Sequence, residues 1–316
     1  MRSTRASRLT LGLPVYNGER FLAESLDALL AQTFTDFDLI ISDNGSTDAT
    51  GAIARRYQSI DTRVRYIRHP RNLGLSFNHN FVIEQAHGEF FKWVSDDDLY
   101  APDLLQRCID ALDSRPEIVL AHAWTALIDD TGQITNALEY PLTTDVPDVA
   151  ERFRSVLNTP GPGHDDFYGV IRMSILRQVA PHGSHHLADR TFVADLALHG
   201  PFHNVPDFLF FRRDHPLHAG AASGIRRRCT TMDPRRANRW RNPAVRLVAE
   251  YLLAYLAAIQ RAPIRRIDRW RCEKELAVWI VCHGDPMRKR RQLESSIRSR
   301  SPYEQATRVS LPDSEM

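Results

Sequence analysis

Apolar and polar positions along the first 124 residues predict short strands separated by helices. Five apolar runs have the length and the β-branched or aromatic content of buried strands. They are Leu9–Leu13, Phe37–Ile41, Val64–Ile67, Phe90–Val94 and Ile118–Trp124. Between them, apolar residues recur at three- and four-residue spacing, which is typical of helices with one buried face. Strands that alternate with helices predict an α/β fold built on a parallel sheet.

Polar turns carrying Asp, Asn or Gly follow three of these strands. The turns are Pro14–Gly18, Asp43–Asp48 and Ser95–Asp98. Because the carboxyl ends of parallel strands share one edge of a sheet, we expect the three turns to form one composite site. The third turn contains three consecutive aspartates, whose repulsion a hard divalent cation would offset. A solvated Asp-rich turn that caps the next helix is the alternative from this stretch alone.

Two common phosphate-binding motifs are absent from the sequence. There is no G-x-G-x-x-G after the first strand and no G-x-x-x-x-G-K-[ST], so neither a Rossmann dinucleotide site nor a P-loop is supported. The first turn instead offers the ring of Tyr16 and the amide of Asn17. This favours a nucleoside held by stacking and hydrogen bonds, with its phosphates held by a metal.

The composition is that of an ordinary globular protein with an uneven distribution of charge. The 316 residues suffice for one large α/β domain with an extension. The four cysteines form no C-x-x-C pair, which argues against a disulfide framework or a structural zinc site. We expect no signal peptide and no membrane span, since no apolar segment reaches roughly 18 residues.

The charge changes sign between the body and the C-terminal region. Residues 1–224 contain 20 Lys and Arg against 29 Asp and Glu, whereas residues 225–300 contain 20 against 7. The basic region either faces an anionic partner, such as lipid head groups, or packs against the acidic body. Two helices are predicted there, at about 243–260 and 264–282. The first has an apolar stripe that either packs on the body or contacts a membrane. The stripe consists of Val245, Val248, Leu252, Tyr255, Leu256 and Ile259.

Four segments together resemble glycosyltransferase family 2 members with the GT-A fold. The segments are Pro14–Asn17, Asp43–Asp48, Asn72–Gly74 and Ser95–Asp98, and the resemblance covers roughly residues 8–215. It implies a mostly parallel sheet flanked by helices, like that of nucleotide-diphospho-sugar transferases, followed by an α-helical C-terminal extension. The implied domains are a catalytic domain (1–224, donor half about 8–124, acceptor half about 125–215), a basic helical extension (225–283) and a disordered tail (284–316).

The same resemblance implies inverting, metal-dependent transfer of a sugar from a nucleoside diphosphate donor. It assigns Asp43 to the pyrimidine imide and Gly74 to the loop over the diphosphate. The implied donor-binding residues are Pro14, Tyr16, Asn17, Asp43, Gly74 and Asp96. The implied ligands of Mn²⁺ or Mg²⁺ are Asp97, Asp98 and His215, although His215 could equally be structural. The sequence departs from the family pattern at Ser95, where an aspartate is usual, and at His79, where many members have arginine.

A second resemblance, around Asp189, implies the general base that removes the proton of the acceptor hydroxyl. The preceding family glutamate is replaced by Ala188. As an alternative, Asp189 would be the N-cap of a helix at 190–199. Phe167 and Tyr168 would either stack on an acceptor sugar or enter a core strand. The histidines of His182–His186 are expected to lie in a solvated loop.

The function implied is transfer to a saccharide or lipid-linked acceptor, with a UDP-sugar favoured as the donor. Cell-envelope or exopolysaccharide assembly in the cytoplasm, peripheral to the inner face of the membrane, is the expected setting. No nucleic-acid partner is expected. An inactive nucleotide- or glycan-binding relative remains an alternative because of Ser95. A sugar nucleotidyltransferase is less well supported, since Pro14–Gly18 is not a Gly- and Arg-rich loop.

Overall fold

The computed structural model describes residues 7–159, 165–215 and 225–283, which contain one mixed sheet flanked by helices. The strands are β1 (Leu9–Val15), β2 (Phe37–Asp43), β3 (Val64–Arg68), β4 (Phe90–Trp93), β5 (Leu99–Tyr100), β6 (Leu120–Ile128), β7 (Ile134–Leu138), β8 (Val170–Arg172) and β9 (Phe202–Arg213). The helices are α1 (Leu22–Leu30), α2 (Thr50–Ile60), α3 (Leu75–Glu84), α4 (Leu104–Ser114), α5 (Val149–Leu157), α6 (Met173–Leu176), α7 (Ala188–His199), α8 (Ile225–Met232), α9 (Ala244–Arg261) and α10 (Arg266–His283).

The strand order is β3-β2-β1-β4-β8-β6-β9-β5, with β7 paired to β6. The half made of β3, β2, β1 and β4 is entirely parallel. In the other half, β6 and β9 are parallel, while β8, β5 and β7 run antiparallel to their neighbours. The predicted α/β class is confirmed. Of the antiparallel strands, β7 and β8 follow the segment in which helices and strands alternate, whereas β5 lies within it.

The register of the parallel half places the three predicted turns side by side. Val15 pairs with Asp43, and Gly12 pairs with Trp93. The next residue, Val94, donates its N–H to the carbonyl of Gly12 at 2.9 Å. The turns after β1, β2 and β4 therefore meet at one edge of the sheet, as the alternation of strands and helices predicted.

Two apolar cores cover the two faces of the sheet. One core contains α1, α2 and α4, and the other contains α3, α5, α7 and the C-terminal helices. Because both faces of β1 are covered, all of its residues except Pro14 are buried. Helix α3 approaches β1 so closely that a Cβ on Gly12 would lie 2.7 Å from a methyl group of Val82.

The C-terminal helices form a second layer over α5 and α7. Helix α9 contacts α7, and α10 contacts α5. The apolar stripe of α9 divides between two environments, so the prediction that it packs on the body holds only in part. Tyr255 and Ile259 are buried, whereas Val245 is 81% exposed and Val248 and Leu256 are each 38% exposed. Within the described ranges, no helix is both long and apolar enough to cross a bilayer. The predicted disordered tail lies outside the described residues.

Candidate active site

The turn after β1 is held against the turn after β2 by side-chain to backbone hydrogen bonds. Asn17 adopts a left-handed conformation, with φ of 55°, which asparagine tolerates better than most residues. Its carboxamide oxygen accepts the N–H of Thr47 at 2.9 Å, and its own N–H donates to Ser46 Oγ at 2.9 Å. Tyr16 makes no such contact among the described residues and is 46% exposed. Its ring is therefore available to stack on a planar ligand.

Asp43 lies at the end of β2 with its side chain fully buried. One carboxylate oxygen accepts the N–H of Ser46 at 2.7 Å, and the other accepts the hydroxyl of Tyr66 at 2.6 Å. Arg68 Nε lies 3.5 Å from the second oxygen. Burial, with the hydrogen bond to Asp43, raises the pKa of Tyr66 to about 12. Asp43 thus organises the second turn, and its contact with a base stays a prediction.

Gly74 begins α3 in a conformation that favours glycine, with φ of 96°. A Cβ at this position would lie 2.5 Å from the carbonyl oxygen of Met232, at the end of α8. The carbonyl of Gly74 accepts the side-chain amide of Asn44 at 3.1 Å. The loop predicted to cover a diphosphate is therefore enclosed between the turn after β2 and the C-terminal extension.

The three consecutive aspartates have different surroundings, beginning with Asp96. Its carboxylate oxygen lies 2.0 Å from the position that a Cβ on Gly18 would occupy. A side chain at position 18 would displace this carboxylate, so Asp96 lies against the turn after β1. Burial, followed by the charge of Asp97, raises the pKa of Asp96 to about 7.

Asp97 pairs with His215, a residue 118 positions later in the chain. His215 Nε2 lies 3.0 Å from Asp97 Oδ2. The other oxygen of Asp97 accepts a short hydrogen bond from Ser95 Oγ. Phe21 packs against the imidazole of His215, with ring centroids 5.2 Å apart. Serine in place of the usual aspartate thus orients Asp97 in this structure.

Asp98 points into the protein and is 1% exposed. Its Oδ1 accepts the backbone N–H of Arg213 at 2.9 Å. Burial, followed by the charge of Asp97, raises the pKa of Asp98 well above its ordinary value. This carboxylate fixes the turn to β9, and its predicted role as a metal ligand gains no support from its surroundings.

Arg213 and Lys92 are buried cations beside these carboxylates that the sequence analysis did not single out. Arg213 Nε donates to the carbonyl of Asp97 at 2.8 Å, and its Nη2 pairs with Glu24 of α1 at 2.8 Å. Lys92 donates a short hydrogen bond to the carbonyl of Tyr168. Burial lowers the pKa of Lys92 to about 8, although the charge of Asp98 opposes the decrease. The sequence did offer a signal for Lys92, because it is the one charged residue of an otherwise aromatic strand and a buried ammonium group needs partners.

Asp189 occupies the first turn of α7, half-buried. The N-cap position belongs to Leu187, so the N-cap alternative is wrong. No hydrogen bond or ion pair of Asp189 is found among the residues that the structure describes. Phe192, one turn later, packs edge-on against Trp93 at 5.1 Å, which ties the start of α7 to the strand that leads into Ser95. Asp189 therefore lies one helical turn before a residue that packs on β4, and its carboxylate has no partner among the described residues.

The neighbouring Arg190 forms a buried ion pair with Asp166. The two atoms are 2.7 Å apart, and the side chains are 9% and 0% exposed. Asp166 also accepts the hydroxyl of Tyr140 at 3.0 Å, and Arg190 reaches Thr159 Oγ1 at 2.9 Å. This network joins the start of α7 to the segment that precedes β8.

Two expectations for the middle of the chain are settled by packing. Phe167 is buried and stacks on Trp93, with centroids 4.6 Å apart and planes at 10°, so it belongs to the core rather than to a sugar-stacking surface. His182 is 4% exposed and stacks on His79 at 5.1 Å. The prediction of a solvated loop is therefore wrong for His182, because Ser76 and Asn80 both donate to its carbonyl and hold it against α3.

The described residues contain no group of three or more His, Cys, Asp or Glu arranged to hold a metal ion. Asp97 and His215 are neighbouring side chains of types that can bind a metal ion. Mg²⁺ and similar hard ions commonly take one or two protein carboxylates and complete their shell with substrate phosphates and water. The pair therefore fits an ion that is bound together with a phosphorylated ligand.

The sequence profile described as "Glycosyl transferase family 2" matches residues 10–179, more than half of the chain. The chain belongs to glycosyl transferase family 2. It is 33% identical over 131 residues to an uncharacterized glycosyltransferase (RC0461) of Rickettsia conorii, covering 40% of this chain and 20% of that protein. It is also 33% identical over 125 residues to the putative glycosyltransferase EpsH of Bacillus subtilis, covering 40% and 36%. The chain thus spans well under half the length of these relatives.

Solved structures with the same fold extend the likeness to most of the chain. TarS of Staphylococcus aureus, residues 1–349 in complex with UDP-GlcNAc, superposes with a TM-score of 0.62 at 17% identity, covering 86% of this chain and 71% of that one. The mannosyltransferase PcManGT of Pyrobaculum calidifontis, in complex with GDP-Man and Mn²⁺, gives a TM-score of 0.53 at 15% identity, covering 93% and 81%. These similarities establish the GT-A type of fold.

Proposed function

We propose that the protein is an inverting glycosyltransferase that moves a sugar from a nucleoside diphosphate sugar, with UDP-sugars favoured, to an acceptor hydroxyl. The observation that carries the proposal is the pairing of Asp97 with His215 at the edge where the turns after β1, β2 and β4 meet. Two features support this reading. Asp189 is available at the start of α7, and the family's nucleotide-sugar fold is present.

The donor lies across the three turns in this proposal. The exposed Tyr16 ring stacks on the base, and Pro14, Asn17 and Asp43 shape the nucleoside site. Gly74 allows the loop before α3 to approach the diphosphate without a side chain. Asp97 and His215 would hold Mn²⁺ or Mg²⁺, which when bound neutralises charge on the departing diphosphate. Asp96, against the first turn, lies next to this pair.

Asp189 acts on the acceptor rather than on the donor. An acceptor hydroxyl has a very high pKa, so a carboxylate must take its proton as the new glycosidic bond forms. Attack from the face opposite the diphosphate gives inversion. The buried ion pair between Arg190 and Asp166 holds this turn of α7 in place. The acceptor is a saccharide or a lipid-linked saccharide, as in cell-envelope or exopolysaccharide assembly. The basic extension would meet its anionic part, with peripheral contact at the inner face of the membrane.

A thermal-shift and hydrolysis experiment tests these roles. UDP, dTDP, GDP and CMP are added with Mn²⁺ or with EDTA to the wild type, Asp97→Asn, Asp189→Asn and a control, Asp110→Asn, at an exposed position of α4. A nucleotide at about 100 times its dissociation constant stabilises the folded state by roughly 2.7 kcal/mol. We expect one diphosphate to stabilise the wild type and the control only with Mn²⁺, and Asp97→Asn to lose that effect.

Asp189→Asn separates binding from chemistry. It should bind the diphosphate like the wild type but release it from the nucleotide sugar about 10²-fold more slowly or worse, since general-base catalysis contributes roughly 10²–10⁴. Wild-type turnover by this variant would refute the role of Asp189. If no nucleotide binds to any variant, the chain is an inactive relative with another ligand. Ser95, in place of an acid, is the observation that favours this second candidate.

A further inference from the structure

The C-terminal helices carry most of the exposed large apolar side chains of the described residues. Ten of the thirteen lie between positions 240 and 281. We define the outer face as the following residues: Trp240, Val245, Val248, Leu253, Leu256, Ile267, Trp270, Val278, Ile280 and Val281. Trp240 is 83% exposed, Val245 81%, Val281 77% and Trp270 58%. Such a concentration of exposed apolar groups marks an interaction surface rather than scattered surface residues.

Nine of these ten side chains lie on α9 and α10, and Trp240 lies in the turn before α9. Helices α9 and α10 run antiparallel. Gln260 Nε2 donates to Glu273 Oε1 at 2.6 Å, and the ring centroids of Tyr255 and Trp279 are 6.0 Å apart, so earlier residues of α9 lie beside later residues of α10. The other face of each helix packs on the layer formed by α5 and α7. On α10, positions 267, 270, 274, 278 and 281 recur at three- and four-residue spacing, so they form one continuous stripe. The exposed stripes of the two helices therefore share the outward side.

The surroundings of the outer face are strongly basic. Residues 225–283 contain 14 Lys and Arg against 5 Asp and Glu. Three of the acids are already neutralised by local arginines: Asp233 by Arg235, Glu250 by Arg236 and Arg246, and Asp268 by Arg265 and Arg271. Lys274 lies within the stripe of α10, and Arg239 stacks over Trp240 at 5.3 Å. Cations and tryptophans thus alternate with aliphatic groups over one surface.

We propose that the outer face docks on the surface of an anionic lipid bilayer. Amphipathic helices with Trp and Leu on one side and Lys and Arg around them lie in the plane of the interface, where basic residues bind acidic head groups. A tryptophan ring suits this boundary because its body is apolar and its N–H is polar. This inference rests on the membrane contact of the proposed function but not on its donor chemistry, so loss of vesicle binding and loss of nucleotide binding are distinguishable results.

Charge favours the bilayer over two other occupants. Residues 225–283 carry a net charge of +9, so bringing them against the same residues of a second copy is repulsive. The segment 284–300 of this chain is also basic, with 6 Lys and Arg against 2 Asp and Glu. An anionic membrane instead complements both the apolar and the basic character of the face. Contact with the acidic body of a second copy is a distinct outcome that the experiment detects.

Sedimentation with vesicles tests the proposal on the full chain. The wild type is mixed with phosphatidylcholine vesicles and with vesicles that contain phosphatidylglycerol, at low and high salt. We expect binding to the anionic vesicles that weakens with salt. Replacing Trp240 and Trp270 together by Ala should weaken binding by at least about tenfold. The change Arg239→Gln should weaken it roughly fivefold. Ile60→Ala, at a 69% exposed position of α2, is the matched control and should bind like the wild type.

Fluorescence and oligomeric state decide between the occupants. Brominated lipids should quench the wild type, and Trp240→Phe with Trp270→Phe should remove most of that quenching while the protein still binds. Unchanged binding by the Ala variants would overturn the proposal and assign binding to the basic segments alone. A wild-type dimer that Val281→Glu converts to a monomer, with no vesicle binding by either, would overturn it in favour of self-association.

Discussion

His79 provides the sharpest test of the packing around the candidate site. It lies on α3 with its ring among those of His182, Phe167 and Trp93, at centroid distances of 5.1, 5.7 and 5.9 Å. Its Nδ1 is 2.9 Å from the carbonyl of Leu75. Burial lowers the pKa of His79 from 6.5 to about 4, so the ring is neutral at pH 7 and acidification must act against the folded state.

The size of this effect follows from linkage. In the unfolded chain His79 titrates near pH 6.5, whereas in the folded chain it titrates near pH 4. Below pH 6.5 the unfolded state therefore binds more protons, and the free energy of unfolding decreases as the pH decreases. Between pH 7 and pH 5, this one residue lowers the free energy of unfolding by about 2 kcal/mol. That is a large fraction of the roughly 5–15 kcal/mol by which proteins are stable.

Urea unfolding at pH 7 and pH 5 measures the effect. The wild type also loses stability from His182 and His122, whose pKa values burial lowers as well. His79→Gln cannot accept the proton, so its loss between the two pH values should be about 2 kcal/mol smaller than that of the wild type. His87→Gln, at an exposed position just beyond α3, should lose as much as the wild type. Equal losses in His79→Gln and the wild type would refute the buried, neutral assignment.

Two further substitutions test the packing around the site. Gly74→Ala should destabilise the fold by about 1–3 kcal/mol in urea unfolding, because its Cβ would meet the carbonyl of Met232. Gly132→Ala has a similar φ of 84°, but its Cβ would only make an ordinary contact with Glu24 Oε1 at 3.9 Å, so it should cost clearly less; equal costs would leave backbone strain as the sole cause. Arg190→Met should cost about 3–5 kcal/mol because it leaves Asp166 buried without its cation. The further change Asp166→Asn should recover much of that loss, and purely additive effects would contradict the ion pair.

Local pattern was sufficient for the parallel half of the sheet and for the position of its polar turns. Alternation of apolar runs with helical spacing predicted β1, β2, β3 and β4, and the order of strands then placed the turns at one edge. The partners of the side chains could not be predicted in this way. His215 meets Asp97 across 118 residues, and Arg213 bonds Glu24 across 189. Only the family resemblance placed His215 with Asp97, as implied metal ligands, and nothing in the sequence indicated the pair of Arg213 and Glu24. The burial of His182 was missed for the same reason, since α3 supplies the atoms that cover it.

The run of three aspartates illustrates why residue type alone does not assign a role. Each carboxylate meets a different element: Asp96 the turn after β1, Asp97 the histidine that follows β9, and Asp98 the backbone of β9 itself. Three identical residues thus have three different surroundings, and only that of Asp98 is settled by the structure, as an anchor to β9. The buried cations Lys92 and Arg213 offset this concentration of negative charge from within the fold. A metal ion bound as in the proposed function would therefore supply only part of the charge balance at this site.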